Sequence, residues 1–156
     1  MAISKKDTLG SIIQDYPEVA PVLSKAGLHC IGCHVSAYES FEDGCRVHGL
    51  TDKEIDGLVK DANKKIKEVD ALPKVSFSKK ALVEIEKRKK KTKGKYIRIV
   101  RNYDGFDFDS TKEKVKGEIV ISKVGILADK QIERILRGIE IDYDDKVKDF
   151  TANKKK

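Results

Sequence analysis

The sequence changes character at residues 70–73, and this change limits the possible folds more than any other feature. Residues 1–72 hold 9 Lys or Arg and 12 Asp or Glu, whereas residues 73–156 hold 24 and 14. Pro73 cannot continue a helix, and the hydrophobic period beyond it shifts toward alternation. We therefore predict two small domains, 1–72 and 73–156, with net charges of −3 and +10.

The first domain is predicted to be an all-α helical bundle. Asp7 and Thr8 can cap a helix that ends near Tyr16, because a residue before proline avoids helical backbone. A second helix is expected over 18–25, with Gly27 as its left-handed cap. Helical spacing then predicts a helix from Cys33 to about Gly49, with one face formed by Val35, Tyr38, Phe41 and Cys45.

A last helix of the first domain begins at a recognisable signal. Thr51-Asp52-Lys53-Glu54 is a capping box, in which Thr51 and Glu54 each bond the other's backbone amide. Apolar residues follow at helical spacing as far as Ile66. The capping box therefore predicts a long helix after Thr51.

The second domain is predicted to be α+β. Strands are expected over 75–77, 96–100, 106–109, 118–121, 124–127 and 139–143. Helices are expected over 79–91, where Ser78 is the N-cap, and over 129–137, where Gly138 ends the helix. The three lysines after Asn153 are expected to fray.

The cysteine pair Cys30 and Cys33 is the candidate site. In Cys30-Ile31-Gly32-Cys33 the sulfurs are close enough to form a disulfide, to share a metal, or to act as attacking and resolving thiols. A helix starting at Cys33 would also lower the pKa of its thiol through the positive end of the dipole. The pair is therefore expected to act either as a catalytic dithiol or as metal ligands.

Several ligand sets remain open at this pair. Two cysteines cannot complete an iron–sulfur site, but two chains related by a two-fold axis could supply four. A zinc site could recruit His29 or His34, which otherwise act as bases beside the thiols or lie on the surface. Cys-Ile-Gly-Cys-His also fits a haem c attachment string; this is disfavoured because the only Met is Met1 and no export signal is visible.

Cys45 is expected to be a small buried hydrophobe. In an unbroken helix it would lie about 18 Å along the axis from Cys33, too far to share one centre within a chain. A kink or a neighbouring subunit would reopen this question.

The first half of the chain resembles the hybrid-cluster-protein-associated redox disulfide domain. The resemblance covers residues 7–66 and is carried by Tyr16-Pro17, Gly27, Cys30-Ile31-Gly32-Cys33, Glu39 and His48-Gly49-Leu50. It implies a thiol redox element or a cluster-related module that uses Cys30 and Cys33, and less securely Cys45.

The second half, residues 75–153, resembles an A-type iron–sulfur carrier of the HesB/IscA kind. The resemblance is carried by Ser76-Phe77-Ser78, by the strand 96–99 and by the run 136–143. Such carriers hold one cysteine in a loop after the first long strand and two near the C-terminus. Here the loop is Asn102-Tyr103-Asp104-Gly105-Phe106 and the chain ends in lysines, so the resemblance implies a carrier scaffold without its ligands.

A basic run at Lys87-Arg88-Lys89-Lys90-Lys91, with Lys93 and Lys95 beyond it, supports an alternative function. It could hold RNA or an acidic protein, with Tyr96, Tyr103 and Phe106 as stacking surfaces and the cysteines incidental. Lysines also suit the negative end of a helix dipole, so a solvated helix end explains the same run.

The sequence therefore predicts an accessory protein of iron–sulfur cluster or thiol redox metabolism and not a classical enzyme. Its expected partners are iron–sulfur assembly or redox proteins and a second copy of itself, and nucleic acid is the less favoured alternative. No run of apolar residues reaches membrane-spanning length or has signal-peptide character, so we expect a cytoplasmic protein without a membrane partner.

Overall fold

A computed structural model describes residues 2–28, 38–103 and 105–155. Its backbone contacts divide the chain into two compact units, Met1–Leu72 and Pro73–Lys156. Each unit has its own cluster of buried apolar side chains.

Four helices and one short helical turn form the described part of the first unit. They are α1 (Leu9–Asp15), a 3-10 turn (Pro17–Val19), α2 (Ala20–Lys25), α3 (Phe41–Val47) and α4 (Asp52–Asp70). Ile55, Ala62 and Ile66 of α4 are fully buried and pack with Ile12 of α1 and Phe41 of α3. The long amphipathic α4 is therefore the element against which the short ones bury their apolar sides.

Local caps that the sequence predicts set several of these boundaries. The Thr8 hydroxyl accepts from the Ser11 amide and starts α1, and both bonds of the Thr51–Glu54 capping box are present at the start of α4. Gly27 and Gly49 have φ of +83° and +81° just after α2 and α3. These caps are confirmed, because each depends on residues within one turn of the helix end.

The predicted fold class, an all-α helical bundle followed by an α+β domain, is wrong. Over the described residues the chain has six α-helices and two mixed sheets, and its first part is not an all-α bundle. Three of the helices in the first unit have only six or seven residues, and Thr8 pairs with Ser40 in an antiparallel β-bridge. Helices this short cannot form the long parallel seams of a bundle.

The second unit contains seven strands and two helices in its described part. The strands are β1 (Ser76–Phe77), β2 (Tyr96–Arg101), β3 (Phe106–Thr111), β4 (Ile119–Ser122), β5 (Ile126–Ala128), β6 (Ile139–Asp144) and β7 (Asp149–Lys154). The helices are α5 (Lys79–Thr92) and α6 (Lys130–Ile135).

Two mixed sheets enclose the core of the second unit. One has the order β3-β2-β5-β4, with β2 and β5 parallel; the other has the order β1-β6-β7, with β1 and β6 parallel. Alternate residues of β2, Ile97 and Ile99, are fully buried and pack with Ile85 of α5 and Leu136. The alternation on which these strands were predicted is therefore the inward face of the sheet.

Strand β7 was not predicted, and the expectation that the tail frays from Lys154 is wrong. Lys154 pairs with Ile139, and the Lys155 amide donates to the Gly138 carbonyl oxygen at 2.8 Å. Asp144 starts the preceding turn by accepting from the amides of Lys146 and Val147. An aspartate at this place before a chain reversal is the local signal that predicts such a hairpin.

A buried ion pair ties the long β3–β4 connection to the sheet. Arg98 of β2 pairs with Glu118, whose side chain is only 6% exposed, and the Val115 amide donates to the same carboxylate at 2.8 Å. Burial opposes ionisation of Glu118, but hydrogen bonds from Arg98 and Val115 outweigh it and hold the pKa of Glu118 below its ordinary value. The carboxylate is therefore charged and satisfied inside the unit.

No helix in the described ranges combines the length and the apolar character that crossing a lipid bilayer requires.

Gly44→Ala and Gly57→Ala form a matched test of packing in the first unit. A Cβ at Gly44 of α3 would lie 2.6 Å from Cδ1 of Leu9, which is buried, whereas a Cβ at Gly57 of α4 meets nothing within 4 Å. Gly44→Ala should lower the free energy of opening by about 1 kcal/mol, because overpacking exceeds the gain in helix propensity. Gly57→Ala should raise it by roughly 0.5–1 kcal/mol. Hydrogen exchange at the buried α4 amides measures both changes, and stabilisation by both variants would contradict the packing argument.

Glu118→Gln should destabilise the second unit by roughly 2 kcal/mol, because Arg98 loses its charged partner. Asp145→Asn breaks the exposed pair with Lys80 and is the control, with an expected cost below about 1 kcal/mol. The folded pKa of Glu118 lies below its ordinary 4.5, so its stabilisation is complete above pH 4.5 and is lost as pH falls below that value. Hydrogen exchange at β2 amides as a function of pH should show this loss in the native protein and a flatter profile in Glu118→Gln.

Candidate functional site

The candidate site residues Cys30 and Cys33, together with His29 and His34, lie outside the described residues. The structure does describe both ends of the segment 29–37 that carries them. The site is therefore defined here by the geometry of these two ends.

The entry to the segment is fixed by the end of α2. The Gly27 amide donates to the Ser24 carbonyl oxygen and the Leu28 amide to the Leu23 carbonyl oxygen, at 3.1 and 3.0 Å. This pair of bonds is a Schellman motif, which needs the left-handed backbone of Gly27. Leu28 is 1% exposed and belongs to the core of the first unit. The chain thus enters the segment from a buried anchor two residues before Cys30.

The exit from the segment is fixed by a reciprocal contact between the starts of α1 and α3. The Leu9 amide donates to the Glu39 carbonyl oxygen and the Phe41 amide to the Asp7 carbonyl oxygen, both at 2.9 Å. Leu9 and Phe41 are the first residues of their helices, and such amides have no partner within a helix. The segment before each helix therefore supplies the carbonyl acceptor for the first amide of the other helix.

The remaining free amides at the start of α3 are also satisfied. The Glu42 amide donates to the Lys5 carbonyl oxygen at 3.0 Å, and the Asp43 amide donates to the Ser40 hydroxyl at 3.1 Å. The prediction of one unbroken helix from Cys33 to Gly49 is wrong, because residues 38–40 are not helical, Tyr38 is 89% exposed in a turn, and α3 begins at Phe41. The first three amides of α3 are therefore all bonded to acceptors within the first unit.

Cys45 is fully buried within α3 and packs in the core of the first unit. This burial agrees with its interpretation as a small hydrophobic residue. The argument that helical rise separates it from Cys33 no longer applies, because the helix does not extend back to Cys33. Burial now keeps Cys45 apart from solvent-accessible chemistry.

The loop over residues 102–106, in which the resemblance to A-type carriers implied a missing cysteine, joins β2 to β3. The Asn102 amide donates to the Gly105 carbonyl oxygen at 3.0 Å, and the loop borders a cavity of about 300 Å³. Its described lining residues have no thiol or imidazole, and they include Phe106, Phe108 and Phe150. Among all described residues, no group of three His, Cys, Asp or Glu side chains could hold a metal ion.

Two residues of the basic run at 87–91 form contacts within the second unit. The Arg88 guanidinium lies 4.7 Å from the centre of the Phe150 ring and also pairs with Glu84. The Lys89 ammonium donates to the Val124 carbonyl oxygen at 2.7 Å and pairs with Glu86. These two residues therefore stabilise the fold rather than form part of a free basic surface.

Sequence reasoning missed the residues that hold the exit of the cysteine segment in place. The Asn63 side chain of α4 accepts from the Ile3 amide and donates to the Ile3 carbonyl oxygen, at 2.8 and 2.9 Å. Lys5 pairs with Asp56 of α4 at 2.7 Å. A lone Asn in a helix more than fifty residues away gives no local signal of this contact.

Comparisons with known proteins cover parts of the chain. Residues 3–55, well under half of its length, match a family described as a domain of unknown function, DUF1858. A search of curated proteins found no match. Among solved structures, Escherichia coli SufA, described as involved in the biosynthesis of iron–sulfur clusters, is 18% identical with a TM-score of 0.47, covering 55% of this chain and 91% of SufA. The resemblance of the first half to the redox disulfide domain stays a prediction.

Ser40→Ala should loosen the exit of the cysteine segment. It removes the acceptor of the Asp43 amide and should cost about 1 kcal/mol, as other N-cap losses do. Thr51→Ala removes the cap of α4 at a similar cost and is the matched control. Residue-resolved hydrogen exchange should show faster exchange of the Leu9 and Phe41 amides in Ser40→Ala only. Equal acceleration at these amides in both variants would contradict the proposed anchor.

Proposed function

We propose that this chain is an accessory protein of iron–sulfur cluster or thiol redox metabolism and that Cys30 and Cys33 carry its chemistry. One observation supports this most directly. The twelve residues 29–40, which contain the pair, are bracketed by Leu28 and Phe41, both buried, and each is fixed by backbone hydrogen bonds. Two thiols with two residues between them, in a segment whose two ends are anchored, favour joint action.

The second unit does not supply cluster ligands of its own. Its sequence has no cysteine, and the loop from Asn102 to Phe106 offers no thiolate or imidazole. Cluster ligation would therefore depend on Cys30 and Cys33. Because such a centre takes four ligands, the proposal requires two chains, each giving one pair. The second unit would then provide docking or dimerisation.

The same two thiols can instead exchange with a partner disulfide. One thiolate attacks a partner sulfur to form a mixed disulfide, and the second then displaces the partner as a dithiol. This chain loses two electrons and two protons and the partner gains them. The partners in either case are iron–sulfur assembly or redox proteins, and the chain acts as a carrier rather than a classical enzyme.

Anaerobic reconstitution with iron and sulfide distinguishes these roles. If the pair ligates a cluster, the full chain should gain a visible chromophore at one cluster per two chains, measured by metal and sulfide analysis and by sedimentation. Cys30→Ser and Cys33→Ser should each abolish it. Cys45→Ala is the control: it should keep the chromophore and lose roughly 1 kcal/mol of stability from a buried site.

A colourless product would select the exchange role, provided that the protein titrates as a two-electron dithiol. That titration should be absent in Cys30→Ser and Cys33→Ser and unchanged in Cys45→Ala. If wild-type protein shows neither a chromophore nor a two-electron couple, the proposed function is wrong. Zinc in protein purified without oxygen, lost on substitution of Cys30, would also overturn it.

A further inference from the structure

The topology of the four-stranded sheet collects exposed lysines at one of its two ends. Strand β2 begins at this end, β3 and β4 finish there, and β5 begins there, because β2 and β5 are parallel and the other pairs are antiparallel. The C-terminal end of α5 leads directly into β2 and so lies at the same place. We call this the basic end, defined by Lys91, Lys93, Lys95, Lys112 and Lys123.

Backbone contacts bring these separate segments together. The Lys95 amide donates to the Thr111 carbonyl oxygen at 2.9 Å, which places Lys112 beside the start of β2. The Ile97 amide donates to the Gly125 carbonyl oxygen at 3.1 Å, which places the β4–β5 turn on the other side. Lys123 lies in that turn, which is closed by the Gly125 amide and the Ser122 carbonyl oxygen at 3.0 Å.

The charge at this end is strongly one-sided. The segments that carry the basic end, 91–95, 112–113 and 122–125, hold five lysines and a single acidic residue, Glu113. All five lysines of the basic end are exposed, and none forms an ion pair with an acidic residue in the ranges that the structure describes. The opposite end of the sheet carries Asp107 and Asp129 together with Arg101, while Glu118 there is paired with Arg98. The unpaired excess of positive charge is therefore at the basic end.

The composition of this surface indicates the chemistry of its partner. Lysine is depleted from protein–protein interfaces, whose centres favour aromatic residues, Met and Arg. The five side chains of the basic end are all lysines, which suit a phosphate backbone as point charges. The half-exposed Tyr96 adds a ring with the Lys95 ammonium 5.3 Å from its centre. We infer that the basic end binds the phosphate backbone of a nucleic acid, independently of the cysteine chemistry proposed above.

The test is binding of a fluorescent single-stranded RNA of about 15 nucleotides to the full reduced chain. Fluorescence anisotropy between about 50 and 200 mM salt should give a steep negative slope of log affinity against log salt. The triple variant Lys93→Gln, Lys95→Gln, Lys123→Gln removes three charges from the basic end. It should reduce the magnitude of that slope by about 2 to 3.

A matched triple variant controls for net charge. Lys79→Gln, Lys130→Gln, Lys146→Gln removes three exposed lysines of the same unit that lie away from the basic end. This control should leave the slope within about 1 of the wild-type value. Cys30→Ser should bind RNA as wild type does, which separates this test from that of the proposed function. Circular dichroism confirms that both triple variants remain folded.

Three results would overturn the inference. The first is undetectable RNA binding by the wild-type chain at the lowest salt. The second is an equal loss of slope in both triple variants, which would show general attraction rather than a site. The third is displacement of the RNA by polyglutamate at a lower charge concentration than by unlabelled RNA, which would indicate an acidic protein as the partner.

Discussion

The first unit depends on how the first turns of two short helices satisfy their backbone amides. The opening amides of a helix have no partner inside it, and leaving one buried and unpaired costs more than a hydrogen bond normally contributes. Here α1 and α3 start side by side, and the first amide of each donates to the carbonyl oxygen of the residue just before the other's N-cap. The N-terminal segment that makes this possible is itself held on α4 by Asn63 and Lys5. The long helix α4, the N-terminal segment and the two helix starts thus depend on one another.

These contacts fix the positions of the two ends of the cysteine segment. Its exit is defined by the contact between Ser40 and Thr8, and its entry by the left-handed turn at Gly27. Both anchors are backbone hydrogen bonds next to fully buried side chains, so both are lost only when the core of the first unit opens. A dithiol that must meet a partner's sulfur or a second chain gains from this arrangement, because the ends of its segment do not need to be ordered on binding.

Features that depend on residues close together in the sequence were predicted, whereas features that depend on distant residues were missed. The Thr51–Glu54 box, the glycine caps and the first six strands of the second unit are encoded within a few residues, and these are present in the structure. The helix expected from Cys33 was predicted to be continuous because Phe41 and Cys45 match its spacing. The start of α3 depends on a local cap at Ser40 and also on the bond from the Phe41 amide to the Asp7 carbonyl oxygen, more than thirty residues away. The role of the cysteine pair was predicted from its spacing, its expected position at a helix start and the family resemblance, and it stays a prediction because both residues lie outside the described ranges. The basic end could not be predicted from the sequence, because Lys112 and Lys123 are brought close to the end of α5 only by the order of the strands in the sheet.

Lys93 carries one of the charges of the basic end in a strained backbone conformation that lowers the stability of the fold. It ends α5 with φ of +54°, and the following Gly94 amide donates to the Lys89 carbonyl oxygen at 3.0 Å, as in a Schellman motif. Glycine is the residue that this position prefers, and a side chain here costs roughly 1 kcal/mol of backbone strain. The neighbouring residue, Gly94, cannot take the charge, because a Cβ there would lie 2.0 Å from the Ser110 hydroxyl. At the end of α5 the lysine therefore occupies the strained position 93, because the packing of β3 requires glycine at position 94.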